Sequence, residues 1–266
     1  MAFATAAAMA TVSCGSNDAS QPSLMAGMNP AKFESTVDGK PTALYCIKSS
    51  GGMEAAITNY GGRIVALQVP GADGELRDVV LGFDSIQAYF PENNPQDFGA
   101  TIGRYANRID HGHLPVDGDT IQLPVNNFGH TLHGGPSGWQ YKVYKAEQPN
   151  DSTLVLTIES PDGDNGFPGN VTASVTFTAM PDNKLDIRYN AESDAPTVIN
   201  MTNHSYFNLS GDATLPVIDH TLQVAGSSFT PVDTTYMTTG EILPVVGTPM
   251  DFTQPKKIGE EIDRTD

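Results

Sequence analysis

The chain has 266 residues, enough to bury a full hydrophobic core. Its 31 acidic against 14 basic residues give a formal net charge of −17, which argues against a nucleic-acid partner, because phosphate recognition needs clustered cations. With 26 Gly and 19 Pro, it is also too rich in helix breakers for a helical body.

Residues 1–22 are compositionally separate. An Ala-rich apolar run from Ala2 to Val12 leads into Ser13, Cys14, Gly15, Ser16 and Asn17, then a polar linker to Pro22. This resembles the tail of a secretion signal with a lipoprotein processing site, in which Cys14 becomes the lipidated first residue. It predicts a place in the cell envelope or periplasm with a lipid anchor at Cys14. The run lacks preceding basic residues and carries Thr11 where such sites use a leucine-like residue, so an Ala/Ser tail on a cytoplasmic protein is the alternative. No later run is long enough to span a membrane. Residues 23–266 are expected to form one domain and to act as a monomer. With Cys14 consumed, Cys46 has no disulfide partner and reads as a small hydrophobe in the strand Ala43 to Ile47.

Strand signals dominate the body. Short apolar runs stand at Ile64 to Val69, Val79 to Leu81, Ile121 to Leu123, Val198 to Met201 and Leu222 to Val224, with Gly, Pro, Asn and Asp between them. A short helix is expected at Ser85 to Tyr89, with Asp84 placed to cap it. Leu154, Leu156 and Ile158 mark a strand before the Gly/Pro-rich loop Pro161 to Gly169. Val171, Ala173, Val175, Phe177 and Ala179 then alternate with Thr172, Ser174, Thr176 and Thr178, the two-residue period of a half-buried antiparallel strand. Leu185, Ile187 and Tyr189 repeat the pattern after the turn Pro181-Asp182-Asn183. The sum is all-β, a large antiparallel sandwich.

The run Asn200 to Gly211 reads as a strand that presents Thr202, His204, Tyr206 and Asn208 on a polar face and Phe207 and Leu209 on an apolar one. An imidazole that exchanges protons near neutral pH beside an aromatic ring suits a sugar, whose ring has apolar faces and polar edges. Taken with Ile102 to Asp110 (Ile-Gly-Arg-Tyr-Ala-Asn-Arg-Ile-Asp), Thr131 to Gly135 (Thr-Leu-His-Gly-Gly), Ser160 to Gly169 and Val246 to Phe252, the run closely resembles the aldose 1-epimerase (galactose mutarotase) family, from about Phe33 onward.

The resemblance implies a galactose mutarotase type of β-sandwich that interconverts the α and β anomers of free hexoses without a cofactor or metal. It assigns His204 as the catalytic proton donor to the ring oxygen. Asn107, Arg108 and His133 become substrate-binding residues, and Tyr206 stacks on the sugar or hydrogen-bonds it. Guanidinium and amide groups suit that task because they offer several donors in fixed planes. Two glycines beside His133 let a ligand or backbone come close. A non-catalytic carbohydrate-binding module and a hexose-6-phosphate epimerase remain as alternatives; the second would need extra cations for phosphate.

The family's general-base glutamate and an Asp-His-Asn-like string before it have no match. Glu260 and Glu261 stand in a different context, so the chain reads as incomplete at its C-terminus and is expected to show little or no activity. Other signals carry less. His111-Gly112-His113 lacks an evident third metal ligand, and Asp162 to Gly166 lacks the distal glutamate of a calcium loop. The sequons at Asn170, Asn200, Asn203 and Asn208 fall in strands and the site and read as chance.

Overall fold

A computed structural model describes residues 24–94 and 96–264. The 1–22 segment and Cys14 lie outside the described residues. Two four-stranded antiparallel meanders form the body. The first runs Leu44–Lys48, Glu54–Thr58, Arg63–Pro70, Leu76–Asp78; the second runs Lys145–Asn150, Thr153–Ser160, Val171–Ala179, Leu185–Ser193. Among the described residues every helix is a 3₁₀ turn of three or four residues, and no helix is long and apolar enough to cross a membrane.

The sheets close on one core. Ile47, Ala55, Ile57, Ile64 and Leu67 of the first meet Leu154, Leu156, Val175 and Phe177 of the second. The alternation expected for 171–179 is observed: its odd-numbered residues are all buried and face that core. Leu185, Ile187 and Tyr189 flank it, in register with Ala179, Phe177 and Val175. The turn between the two strands is closed by Met180 N–H donating to Lys184 O at 2.8 Å, with Asn183 at a φ of +59°.

The first sheet is buried on both faces. A second cluster of Phe33, Leu44, Ala56, Val65, Ala66, Ile86 and Tyr89 covers its back. Pairing steps from Ala56↔Ala66 to Ile57↔Ile64, so Val65 is the extra residue of a bulge. That bulge explains why consecutive Val65 and Ala66 both face the back cluster while Ile64 and Leu67 face the front.

Three expectations need correction. The helix is a single 3₁₀ turn, Ile86–Tyr89, with Ser85 at the N-cap and no side-chain cap bond; the Asp84 carboxylate is taken by Lys32 Nζ instead. The runs at Val79 to Leu81 and Val198 to Met201 stay extended but pair only through isolated bridges, Val80 with Phe207 and Asn200 with Tyr105. The supposed apolar face of the 200–211 run is not covered by a core: Phe207 is 53% exposed and Leu209 66%, whereas Asn208 is 5% exposed. Asn208 is buried because its amide holds a loop together, donating to Asp212 O at 3.1 Å and Leu215 O at 2.8 Å.

Candidate active site

Two short strand pairs bring the separate motifs to one place. Thr101–Ile102 pairs with Thr202–Asn203, and Arg108–Ile109 pairs with Thr131–Leu132. Beyond its strand the 200s segment remains extended. His204 N–H donates to Ala100 O at 2.8 Å, and Leu81 N–H donates to Tyr206 O at 2.9 Å. Pinned from both sides, it keeps the two-residue alternation locally, so the His204 and Tyr206 rings lie together with centroids 5.4 Å apart. Phe98 supports Tyr206 from behind at 4.9 Å.

His133 meets this pair edge-on, its ring 5.1 Å from that of His204 at 83°. It is gripped twice by Asn107: His133 N–H donates to Asn107 O at 3.0 Å, and Asn107 N–H donates to His133 Nδ1 at 3.0 Å. Because Nδ1 accepts, the neutral ring carries its proton on Nε2, which leaves Nε2–H as the donor. Burial, with the charges of His204 and Arg108 adding to it, lowers the His133 pKa from 6.5 to about 4, so the ring is neutral at physiological pH. His133 itself has a φ of +51° and Gly134 one of +80°. A Cβ on Gly134 would lie 2.1 Å from Gly103 O, so this glycine serves backbone packing behind the histidine.

His133, His204 and Tyr206 line a cavity of about 440 Å³, with Asp97, Asn127 and Tyr141 among the other walls. That volume lies in the range of small-molecule sites. Asn107 and Arg108 are not on its wall but touch residues that are. Arg108 Nη2 donates to Asn127 Oδ1 at 2.7 Å, and Nη1 lies 3.4 Å from Asn107 Oδ1. The guanidinium also sits 5.3 Å from the centre of the Tyr236 ring, a cation–π contact on its outer side. Asp97, Tyr141, Asn127 and Tyr236 were not singled out from the sequence. Only Asp97 had a local cue, its place in the stretch just before Ile102, and nothing there marks it as buried.

The acidic loop after Ser160 is used internally. Arg104, 2% exposed, donates to Ser160 O at 2.8 Å, Pro161 O at 2.9 Å and Pro168 O at 2.8 Å, and its Nε donates to Ser160 Oγ at 2.9 Å. Ser160 Oγ in turn donates to Asp164 Oδ2 at 2.6 Å, and Asp162 Oδ1 accepts from Gly169 N–H at 2.7 Å. The His111 turn departs from expectation, because a carboxylate and a third histidine do stand beside it. Asp110 Oδ1 is 2.7 Å from His111 Nδ1 and 3.2 Å from His130 Nδ1. Both His130 ring nitrogens are already engaged, Nδ1 by His111 N–H at 3.0 Å and Nε2 by Thr235 Oγ1 at 2.9 Å.

The family profile described as Aldose 1-epimerase matches residues 43–266. Aldose 1-epimerase of Escherichia coli is 36% identical over 224 residues, which are 84% of this chain and 64% of that protein. Galactose mutarotase of Rattus norvegicus is 39% identical over 206 residues, 77% of this chain and 59% of the relative. The chain thus spans less than two thirds of the length of either. Among solved structures, an aldose epimerase homologue from C. elegans superimposes with a TM-score of 0.78 at 32% identity, covering 85% of this chain and 68% of that one. Galactose 1-epimerase from Lactobacillus acidophilus gives a TM-score of 0.78 at 29% identity, covering 87% and 67%.

Proposed function

Because the chain belongs to the aldose 1-epimerase family, we propose that it binds free hexoses in the cavity between His133, His204 and Tyr206 and that its activity is the interconversion of their α and β anomers. The observation that carries this reading is the edge-on pair of imidazoles with an aromatic ring beside them on one cavity wall.

His204 hands a proton to the ring oxygen as the bond from that oxygen to the anomeric carbon breaks. The anomeric hydroxyl loses its proton to a base, and the carbon becomes an aldehyde. Rotation about the first carbon–carbon bond presents the other face, the hydroxyl formed from the ring oxygen attacks it, and the same protons return. No electrons are gained or lost overall. Neutral His133 supports the oxygen through its Nε2–H, and Tyr206 covers an apolar face of the pyranose. Arg108 and Asn107 hold the wall through Asn127 and His133.

Loss of one partner of an acid–base pair costs about 10²–10⁴-fold, which is the fall in rate expected when the His204 imidazole is removed. Calorimetry with D-glucose and D-galactose and polarimetry on freshly dissolved α anomers form the test. Hexose binding with accelerated anomer equilibration that His204→Gln lowers by that factor supports the reading. Equilibration at the buffer rate despite binding makes the protein a carbohydrate-binding module. No hexose binding at all overturns the site. As a separate proposal, the Ala2 to Val12 run and Cys14 support a lipid-anchored protein of the cell envelope, monomeric in detergent. Fatty-acid labelling that survives Cys14→Ser would refute the anchor.

A further inference from the structure

Among the described residues that line the cavity, Asp97 is the one carboxylate. It is 5% exposed and sits at a φ of +54°, fixed there by Asp97 N–H donating to Asn94 O at 3.3 Å and Ala100 N–H donating to Asp97 O at 3.1 Å. Behind it lies Arg63, 0% exposed, whose two terminal nitrogens are already committed and whose Nε has no partner. Nη1 donates to Phe98 O at 3.0 Å and Nη2 to Gln140 O at 2.8 Å. Nη2 approaches Asp97 Oδ1 only to 3.6 Å, an ion pair without a hydrogen bond. On the other oxygen, Tyr141 OH reaches Asp97 Oδ2 at the limiting distance of 3.5 Å.

Asp97 Oδ1 is therefore buried with no hydrogen-bond donor. An ionised carboxylate in that state is costly, and buried acceptors in native proteins find partners. Arg63 supplies the charge that keeps the carboxylate in place but has no N–H aimed well enough to satisfy it. Oδ1 is shut off on the Arg63 side, so Oδ2, engaged only by Tyr141 at 3.5 Å, is the oxygen that a donor arriving from the cavity would reach, and hexose hydroxyls are such donors.

We propose that Asp97 accepts a hydrogen bond from a ring hydroxyl of the bound hexose and thereby sets which hexoses the cavity prefers. The inference rests on the cavity being the sugar site. Burial leaves the Asp97 pKa above its ordinary value, with Arg63 and then His204 opposing the rise, so the positive partner behind Asp97 offsets part of the cost of the anionic acceptor. A charged acceptor discriminates strongly, because a sugar lacking the matching hydroxyl leaves it buried and unpaired.

The test compares wild type with Asp97→Asn by calorimetry, using D-galactose and its 2-, 3-, 4- and 6-deoxy derivatives. Wild type is expected to lose about tenfold or more in affinity for one deoxy sugar beyond what the others lose. Asp97→Asn is expected to bind galactose weakly and to lose that particular discrimination. Asp97→Glu keeps the charge beside Arg63 but moves the oxygens by a methylene, and it is expected to lose the same discrimination should the Asn variant not fold. If either folded variant keeps the wild-type pattern across the deoxy series, the role of Asp97 is refuted while the sugar site stands. If wild type binds none of these sugars, both fall.

Discussion

Acid should loosen the site by protonating His133, and the size of the effect follows from its environment. The folded ring has a pKa of about 4 against an ordinary 6.5. A histidine whose pKa is depressed on folding contributes stability that is fully present above the unfolded value and is lost as pH falls toward the folded one, because in that window the unfolded chain binds a proton that the native chain refuses. Taking about 1.4 kcal/mol per pH unit, the loss between pH 7 and pH 5 is at most about 2 kcal/mol, and it levels off below pH 4 as the native ring also protonates. There the geometry fails as well. A protonated Nδ1 would present its hydrogen to Asn107 N–H, turning the 3.0 Å hydrogen bond into a repulsion between two donors. The assay is urea unfolding followed by tryptophan fluorescence at pH 7 and pH 5, on wild type and on His133→Gln, whose amide can still accept from Asn107. Comparing the two removes the contribution of every distant carboxylate. Wild type should lose about 2 kcal/mol more than the variant; parallel pH slopes would refute the burial of a neutral His133.

Arg104→Met should destabilise the protein by about 2–4 kcal/mol, because it strips donors from the buried carbonyl of Ser160 and the part-buried carbonyls of Pro161 and Pro168. Urea midpoints measure this, and a change under about 1 kcal/mol would contradict the pinned loop. Gly103→Ala would place a Cβ 2.0 Å from Trp139 Cε3 against a ring only 1% exposed. Trp139 is the single tryptophan in the chain, so a red-shifted emission and a loss of about 1–3 kcal/mol from overpacking are expected. Wild-type emission and stability would show that the wall behind the site is not tightly packed.

The strands over 171–179 and 185–190 were legible in the sequence, because a half-buried strand writes its faces into neighbouring positions and a two-residue period is a local property. The same logic correctly paired His204 with Tyr206 on one side of their segment. It failed for Phe207 and Leu209, since alternation says which residues share a face but not whether anything covers it. The first sheet shows the converse. Its strands read simply as short apolar runs, and only the packed structure reveals two clusters on its two faces and the Val65 bulge that lets one strand serve both.

What the sequence by itself determined is the all-β class of the fold and the family resemblance carried by the motifs around His133 and His204. Tertiary structure alone decided that Asn107 clasps His133 through the backbone, that Arg108 reaches the cavity by way of Asn127, and that Asp97 lies buried against Arg63 with an unfilled acceptor. Asp97 and Arg63 are 34 positions apart, and neither neighbourhood carries a sign of the other. Burial and electrostatic pairing depend on distances in space, which local periodicity does not encode.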